Sequence, residues 1–202
     1  MARISRNLIV LSDGTGNSAS KSFKTNVWRL YQALSLQDGK QVAVFGDGVG
    51  TSSITVLRII GLALGVGVKR NVLNLYKFLC HNYWRDTKND GQTECDRIWM
   101  FGFSRGAFTI RVLAGLVHSE GLVEFETEAD LERDAIAAYR AFRKKAFPAK
   151  AWWVFWVPLG RWVRDILISF WQSITGGVRY DHVERRENIE IHFMGVWDTV
   201  AA

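Results

Sequence analysis

The sequence predicts an α/β fold with a doubly wound, mainly parallel sheet. Short apolar runs, typical of strands buried on both faces, alternate with segments that carry apolar residues at helical spacing. The predicted strands are 8–11, 41–45, 98–101 and 189–197. Glycine-rich turns follow the first three of these runs. Because parallel strands joined by helices end at one edge of the sheet, these turns should lie together where α/β proteins place their functional sites.

Helices are predicted in the connections between these strands. The first begins after Asn26 as its N-cap and carries Val27 and Leu30 on one face. The second is a firm amphipathic helix from Val68 to Tyr83. The apolar stretch 54–66 before it is too short to span a bilayer and is interpreted as a buried helix or loop, and 86–96 is expected to be a polar loop.

One motif organises the rest of the chain. The strand 98–101 runs into Gly102-Phe103-Ser104-Arg105-Gly106, and an apolar helix follows. A G-x-S-x-G sequence between a strand and a helix predicts a nucleophile elbow, in which a strained turn exposes a serine hydroxyl at the helix N-terminus. The alternative is a tight strand-to-helix turn in which Ser104 only caps the helix.

Composition bounds the class of protein. A chain of 202 residues with 48% hydrophobic residues forms one domain, or one domain with an appended segment, and global disorder is excluded. Two cysteines without metal-ligand spacing indicate no disulfide framework, no metal site and no cofactor. The first apolar run is too short for a signal peptide, so a cytoplasmic location is the default. Peripheral membrane association and export without a cleaved signal stay open.

The formal net charge of +6 is unevenly distributed. Between 135 and 164 there are cations and no acidic residue, and aromatic residues interleave with them. The cations are Arg140, Arg143, Lys144, Lys145, Lys150, Arg161 and Arg164. A basic, tryptophan-rich surface favours an anionic membrane as partner over nucleic acid, which is not expected. The candidate membrane or lid contacts are Trp152, Trp153, Trp156 and Trp162.

The domain organisation follows from these segments. Residues 1–123 are predicted to form the first part of the α/β core, 124–187 a helical basic and Trp-rich cap, and 188–202 a return strand of the core. Pro158 and the charges around it argue against a transmembrane helix in the cap. A lid, an amphipathic helix in the membrane interface and a plain structural cap remain alternatives for the cap.

A serine nucleophile needs a histidine as base and a carboxylate to orient that histidine. Asp198 follows the last predicted strand and can therefore reach the same edge as Ser104. The histidine should come after the acid in this fold class, and only four residues follow Asp198. None of the chain's histidines is well placed, His182 being the least unsuitable; the others are His81, His118 and His192. The chain is therefore interpreted as a fragment that ends before its base.

The oxyanion hole is assigned to backbone amides. One is the N–H of Arg105, directly after the nucleophile, and the second is that of Gly14 or Thr15, after the first strand. Asp13 and Asn17 are assigned to support this loop. A plain turn and a phosphate-binding loop are the alternatives, but the lysine of the P-loop motif is missing.

Five motifs in order resemble the uncharacterised α/β-hydrolase domain family that includes type VI secretion phospholipase effectors. They are Leu11-Ser12-Asp13-Gly14-Thr15-Gly16-Asn17, Thr25-Asn26-Val27, Gly48-Val49-Gly50-Thr51, Gly102-Phe103-Ser104-Arg105-Gly106-Ala107 and Gly195-Val196-Trp197-Asp198-Thr199-Val200. The resemblance implies an α/β-hydrolase fold and a serine esterase or lipase, with Ser104 as nucleophile and Asp198 as triad acid. The family's histidine motif lies beyond the last residue here.

Three functions are weighed. The leading hypothesis is a lipase or phospholipase that meets an anionic bilayer through its cap and cleaves ester bonds. A soluble carboxylesterase with the same catalytic residues is the second. A non-catalytic module of hydrolase-like fold that binds a membrane or a partner is the third, and a chain without the histidine could be inactive in this way.

Overall fold

A parallel sheet of four strands forms the centre of the part of the chain that the structure describes. The computed structural model describes residues 5–14, 24–46, 66–87, 93–146 and 183–199. Its strands are β1 (Asn7–Ser12), β2 (Gln41–Gly46), β3 (Arg85–Thr87), β4 (Thr93–Cys95), β5 (Arg97–Phe103), β6 (Leu122–Val123), β7 (Arg185–Arg186) and β8 (Ile191–Trp197). Its helices are α1 (Asn26–Gln32), α2 (Val66–Asn82), α3 (Arg105–Glu120) and α4 (Glu128–Ala146).

The order of strands in the central sheet is β2-β1-β5-β8, and every pairing in it is parallel. Ser12 at the end of β1 is level with Gly46 of β2 and Gly102 of β5. Their carboxyl ends therefore form one edge of the sheet, which we call the rim. The predicted α/β fold with a mainly parallel sheet and intervening helices is confirmed.

Helix α1 covers one face of the sheet. Val27 of α1 is fully buried in a cluster with Ile9 and Leu11 of β1. The Trp28 ring packs edge-on against Phe45 of β2, with 5.1 Å between the ring centroids. Because successive side chains of a strand alternate between faces, the odd-numbered positions of β1 define this side of the core.

Helices α2 and α3 pack against each other and against the sheet. The even-numbered positions of β1 and β5, including Leu8 and Met100, are fully buried, as are Leu79 of α2 and Leu113 of α3. A strand alternates its side chains, so these positions lie on the face opposite α1. Helices on both faces define the doubly wound arrangement that the alternating pattern predicts.

The N-cap of α1 differs from the prediction. Thr25, and not Asn26, is the cap residue: its backbone is extended and its hydroxyl accepts a hydrogen bond from the N–H of Trp28 at 3.2 Å. Threonine and asparagine are both good cap residues, so composition alone does not separate neighbouring candidates. The extended backbone of Thr25 decides the position, because a cap residue lies outside helical φ and ψ.

A short antiparallel hairpin occupies part of the segment that was expected to be a polar loop. Strands β3 and β4 pair with Arg85 opposite Cys95 and Thr87 opposite Thr93. The prediction of a loop throughout 86–96 was wrong at both ends, because three-residue strands carry too few residues to show an alternating pattern. Both cysteines of the chain are free thiols.

An ion pair with a buried carboxylate lies at the end of the sheet opposite the rim, where the parallel strands begin. The Asp96 carboxylate is inaccessible to solvent and accepts the backbone N–H of Arg6 at 2.8 Å and that of Trp84 at 3.2 Å. The Arg6 guanidinium donates to the same carboxylate at 3.1 Å and to the Asn82 carbonyl at 2.7 Å. One carboxylate thereby joins β1, the end of α2 and the start of β5.

Contacts between residues divide the chain into two compact units, Met1–Leu122 with Arg186–Ala202, and Val123–Arg185. In the second unit, α4 begins at a Thr127 cap: the N–H of Asp130 donates to the Thr127 hydroxyl, which donates to the Asp130 carboxylate at 2.6 Å. This hydrogen bond from Thr127 holds the pKa of Asp130 below its usual value. The domain boundaries read from the sequence stay predictions.

No helix among the described residues has the length and apolar character needed to cross a bilayer. Residues 54–65 of the apolar stretch and most of the proposed cap, 147–182, lie outside the described residues.

Replacing Asp96 by alanine should destabilise the fold by about 2–4 kcal/mol, because it leaves two backbone amides without their acceptor and the partly buried Arg6 guanidinium without its carboxylate partner. Urea unfolding followed by tryptophan fluorescence measures this change. The control is Asp38→Ala, which removes an exposed carboxylate that accepts the nearby N–H of Lys40 at 3.0 Å. Equal unfolding midpoints for the two variants would contradict the assigned role of Asp96.

Candidate active site

Ser104 lies at the rim between the end of β5 and the start of α3. Its φ is 54° and its ψ is −120°, a combination that residues with a side chain rarely adopt. The side chain makes no capping hydrogen bond to the helix, so the capping alternative lacks the contact that defines it. Strand, strained serine and helix together have the backbone geometry of a nucleophile elbow.

Two glycines allow this turn, and both do so through close approach. A Cβ atom on Gly106 would lie 2.1 Å from the Ser12 carbonyl oxygen and 2.7 Å from that of Asp13. A Cβ atom on Gly102 would lie 2.6 Å from the Cα of Ala107. Any larger residue at either position would collide with backbone that cannot rotate away. The glycines of the motif are therefore required by packing of the elbow against itself and against β1.

Asp198 is the neighbour of Ser104 at the rim. Phe103 and Trp197 are paired in the parallel register of β5 and β8, and the next residue on each strand is Ser104 and Asp198 respectively. The N–H of Ser104 donates to the Trp197 carbonyl at 2.9 Å. Asp198 is exposed and has a φ of 43°, so both strands end in a left-handed residue at the same level. Adjacent strands lie about 4.8 Å apart, which brings the two residues together.

The turn after β1 contributes the third part of the rim. Asp13 is buried, and its carboxylate accepts the N–H of Gly14 at 2.6 Å and the hydroxyl of Thr25 at 2.7 Å. The Gly14 amide, one of the two candidates for the second oxyanion donor, is therefore engaged by Asp13. Thr25 lies in one of the five family motifs but was assigned no role at the site, although a threonine three residues before Trp28 has the spacing of a capping hydroxyl.

Arg105 is the first residue of α3, so its backbone N–H lies directly after Ser104 at the N-terminus of a 16-residue helix. The Ser104 carbonyl accepts the N–H of Phe108 at 3.3 Å and begins the helical hydrogen bonds. A helix N-terminus favours negative charge, which suits the developing oxyanion of an acyl transfer.

The described histidines lie away from the rim. His118 is near the end of α3, roughly 20 Å from Ser104 at ~1.5 Å per residue. His192 is near the start of β8, roughly 20 Å below Asp198 at ~3.3 Å per residue, and its ring packs on Trp99. His81 is next to the last residue of α2, whose carbonyl binds Arg6 at the opposite edge of the sheet. None of these three is placed to serve Ser104 as a base.

Other predicted site residues lie outside the described residues. They are Thr15, Asn17, His182, Trp152, Trp153, Trp156 and Trp162. Among the residues that the structure does describe, no group of three or more His, Cys, Asp or Glu side chains could hold a metal ion.

An open cleft of about 620 Å³ lies at the far end of α3 from Ser104. Its lining includes His118 and Gly115 of α3 and Asn188 and Glu190 before β8. These residues are at the edge where β8 begins, so the cleft is separate from the rim.

The fold and the elbow define an α/β protein that carries a strained serine at its rim. The chain belongs to the family described as "T6SS, Phospholipase effector Tle1-like, catalytic domain", whose match covers residues 6–202. This confirms the family resemblance drawn from the five motifs.

The chain is also 26% identical, over 96% of its length, to Uncharacterized protein YEL023C of Saccharomyces cerevisiae. It spans 26% of that protein, or about a quarter of its length. No solved structure matches the chain.

Replacing Gly106 by alanine should destabilise the fold by roughly 3 kcal/mol or more, because the added methyl collides with two carbonyl oxygens of β1 and its turn. Gly46→Ala is the matched control: it lies at the same rim, and its added methyl would make ordinary contacts, the nearest at 3.5 Å. Urea unfolding midpoints compare the two variants. A Gly106→Ala protein as stable as Gly46→Ala would refute the close approach.

Proposed function

We propose that this chain carries the nucleophile and the acid of a serine hydrolase that cleaves ester bonds of lipids, as a lipase or phospholipase. The observation that carries the proposal is the strained Ser104 between β5 and α3, held by glycines on both sides. A residue persists in such a conformation only where the surrounding structure determines it, and such strain concentrates at functional sites. Membership of a phospholipase effector family supports the lipid ester as substrate class.

In the proposed reaction the Ser104 hydroxyl attacks the ester carbonyl while a histidine takes its proton. Collapse of the tetrahedral intermediate breaks the ester C–O bond, and the histidine returns the proton to the leaving alcohol. Water then hydrolyses the acyl-enzyme by the same route. Asp198 is proposed to orient the histidine, because its place beside Ser104 at the rim matches the position of a triad acid. The histidine is proposed to come from a segment beyond Ala202.

The oxyanion of the intermediate is proposed to bind at the N-terminus of α3. The N–H of Arg105 is the first donor. The Gly14 N–H already donates to the Asp13 carboxylate at 2.6 Å, so it is not available to the substrate. This favours the N–H of Thr15 over that of Gly14 as the second oxyanion donor. Asp13 supports this turn in the proposal, and Asn17 is assigned to the same loop.

Contact with an anionic membrane is proposed for the basic, Trp-rich segment, through Trp152, Trp153, Trp156 and Trp162. The support is compositional: tryptophan and basic side chains together favour the headgroup region of a bilayer. A chain that binds lipid in this way would act as a peripheral membrane protein. We propose that it does so either in the cytoplasm or after export without a cleaved signal.

A second candidate function is a non-catalytic module that binds a membrane or a partner through the same fold. The position of His81, His118 and His192 away from the rim favours it for the chain taken alone. The strained serine favours the hydrolase, because a binding module gains nothing from strain at this residue.

A fluorophosphonate probe tests the nucleophile. We expect weak labelling of the chain, strong labelling of a version extended past Ala202, and none of the Ser104→Ala variant of either, because the probe needs an activated serine. Ser35→Ala, which changes a serine away from the rim, is the control and should label normally. A folded, extended protein that does not react would overturn the hydrolase proposal and favour the binding module.

Vesicle binding tests the membrane contact. A Trp153→Ala, Trp156→Ala double variant should bind anionic vesicles at least tenfold more weakly than the parent chain, since each tryptophan contributes buried apolar area and an interfacial preference. Leu36→Ala is the control, because Leu36 is an exposed apolar residue in another part of the chain. Undiminished binding of the double variant in a co-sedimentation assay would refute the interfacial role.

A further inference from the structure

One hydroxyl, that of Thr25, links the turn after β1 to the start of α1 by hydrogen bonds. The Thr25 Oγ1 atom donates to Oδ2 of Asp13 at 2.7 Å and accepts the N–H of Trp28 at 3.2 Å. A hydroxyl has one donor and two acceptor sites, so both bonds form at the same time. The capping function uses only the acceptor side of Thr25. The donor side serves Asp13, which lies twelve residues earlier in the chain.

The other oxygen of the Asp13 carboxylate binds the backbone of the next residue. Asp13 Oδ1 accepts the N–H of Gly14 at 2.6 Å, and Asp13 itself is only 4% exposed. A buried carboxylate has few ways to satisfy its oxygens, so its orientation is set by these two donors. Loss of the Thr25 donor would free the carboxylate to turn and release the Gly14 amide.

The backbone that the Asp13 carboxylate fixes is also the backbone that contacts the elbow. The carbonyl oxygens of Ser12 and Asp13 lie so close to Gly106 that no side chain fits there. The Asp13 N–H in turn donates to the Gly46 carbonyl at 3.1 Å. A displacement of the Asp13 turn would therefore be transmitted directly to the residue two positions after Ser104.

We propose that Thr25 is a positioning residue for the Ser104 site. Its hydroxyl orients the Asp13 carboxylate, and this carboxylate binds the Gly14 N–H. The two hydrogen bonds together fix the turn that follows β1 and contacts the elbow. This inference rests on the hydrolase function proposed above. The Gly14 amide is an internal anchor here and not a donor to substrate. Displacement of a positioning group by about 1 Å can cost a factor of about 100 in rate, which makes such an anchor consequential.

The chain offers variants that separate positioning from helix capping. Thr25→Val keeps the shape of the side chain and removes both hydrogen bonds. Thr25→Ser keeps the hydroxyl and should restore most of the lost rate. Arg29→Gly weakens the same helix at an exposed position and leaves Thr25 and Asp13 unchanged.

The first readout is the rate at which a fluorophosphonate labels Ser104 in the extended protein, together with kcat and KM for a short p-nitrophenyl ester. Thr25→Val should lower the labelling rate and kcat by roughly ten- to a hundredfold with little change in KM, because the turn supports the reacting centre and not the acyl chain. Arg29→Gly should react at the parent rate. Equal loss in Thr25→Val and Arg29→Gly would reduce Thr25 to a helix cap and overturn the proposal.

The second readout does not depend on catalysis. Amide hydrogen exchange at Gly14 should be slow in the parent chain, in Thr25→Ser and in Arg29→Gly, and faster in Thr25→Val by at least tenfold. Unchanged protection of Gly14 in Thr25→Val overturns the positioning role whether or not Ser104 reacts. A protein with the expected exchange pattern but an unreactive Ser104 would refute the hydrolase function and leave the anchor itself supported.

Discussion

The structure depends on the contact between Gly106 and the carbonyl oxygens at the end of β1. Helix α3 can pack this close to the end of β1 only because position 106 has no side chain, and Ser104, two residues earlier in the same turn, has a positive φ of 54°. The contact therefore links the strain at the serine to the packing of a strand that is remote in sequence. Because backbone meets backbone there, no rotamer change can relieve a larger residue.

The register of the parallel strands determines which other residues lie beside Ser104 at the rim. The parallel pairing of β5 with both β1 and β8 places the Asp13 turn on one side of Ser104 and Asp198 on the other. The N–H of Ser104 is bound to the Trp197 carbonyl, so the elbow is held to β8 as well as to β1. The Arg6–Asp96 pair secures the opposite edge, where the strands begin. The candidate chemistry thus lies at the carboxyl ends of the strands, as is usual in parallel α/β proteins, and the Arg6–Asp96 pair lies at the opposite end of the same sheet.

Much of this arrangement could be predicted from particular residues. Apolar runs such as Leu8-Ile9-Val10-Leu11 identify strands because both faces of a central parallel strand are buried. The G-x-S-x-G sequence identifies the elbow because only glycine tolerates the approach at 102 and 106. The N-cap of α1 was missed by one residue, and the β3–β4 hairpin was missed entirely. In both cases the local signal is weak: Thr and Asn are equally good caps, and three residues show no period.

The sequence by itself therefore determined the fold class, the order of the strands along the chain, and the serine and carboxylate that follow two of them, because hydrophobic period and glycine requirements are local properties. Tertiary structure decided which turns become neighbours, that Asp198 lies beside Ser104, and that Thr25 binds Asp13. These are outcomes of strand register and of hydrogen bonds between distant segments. No spacing along the chain encodes them, since register is settled only when the buried faces of all strands pack at once.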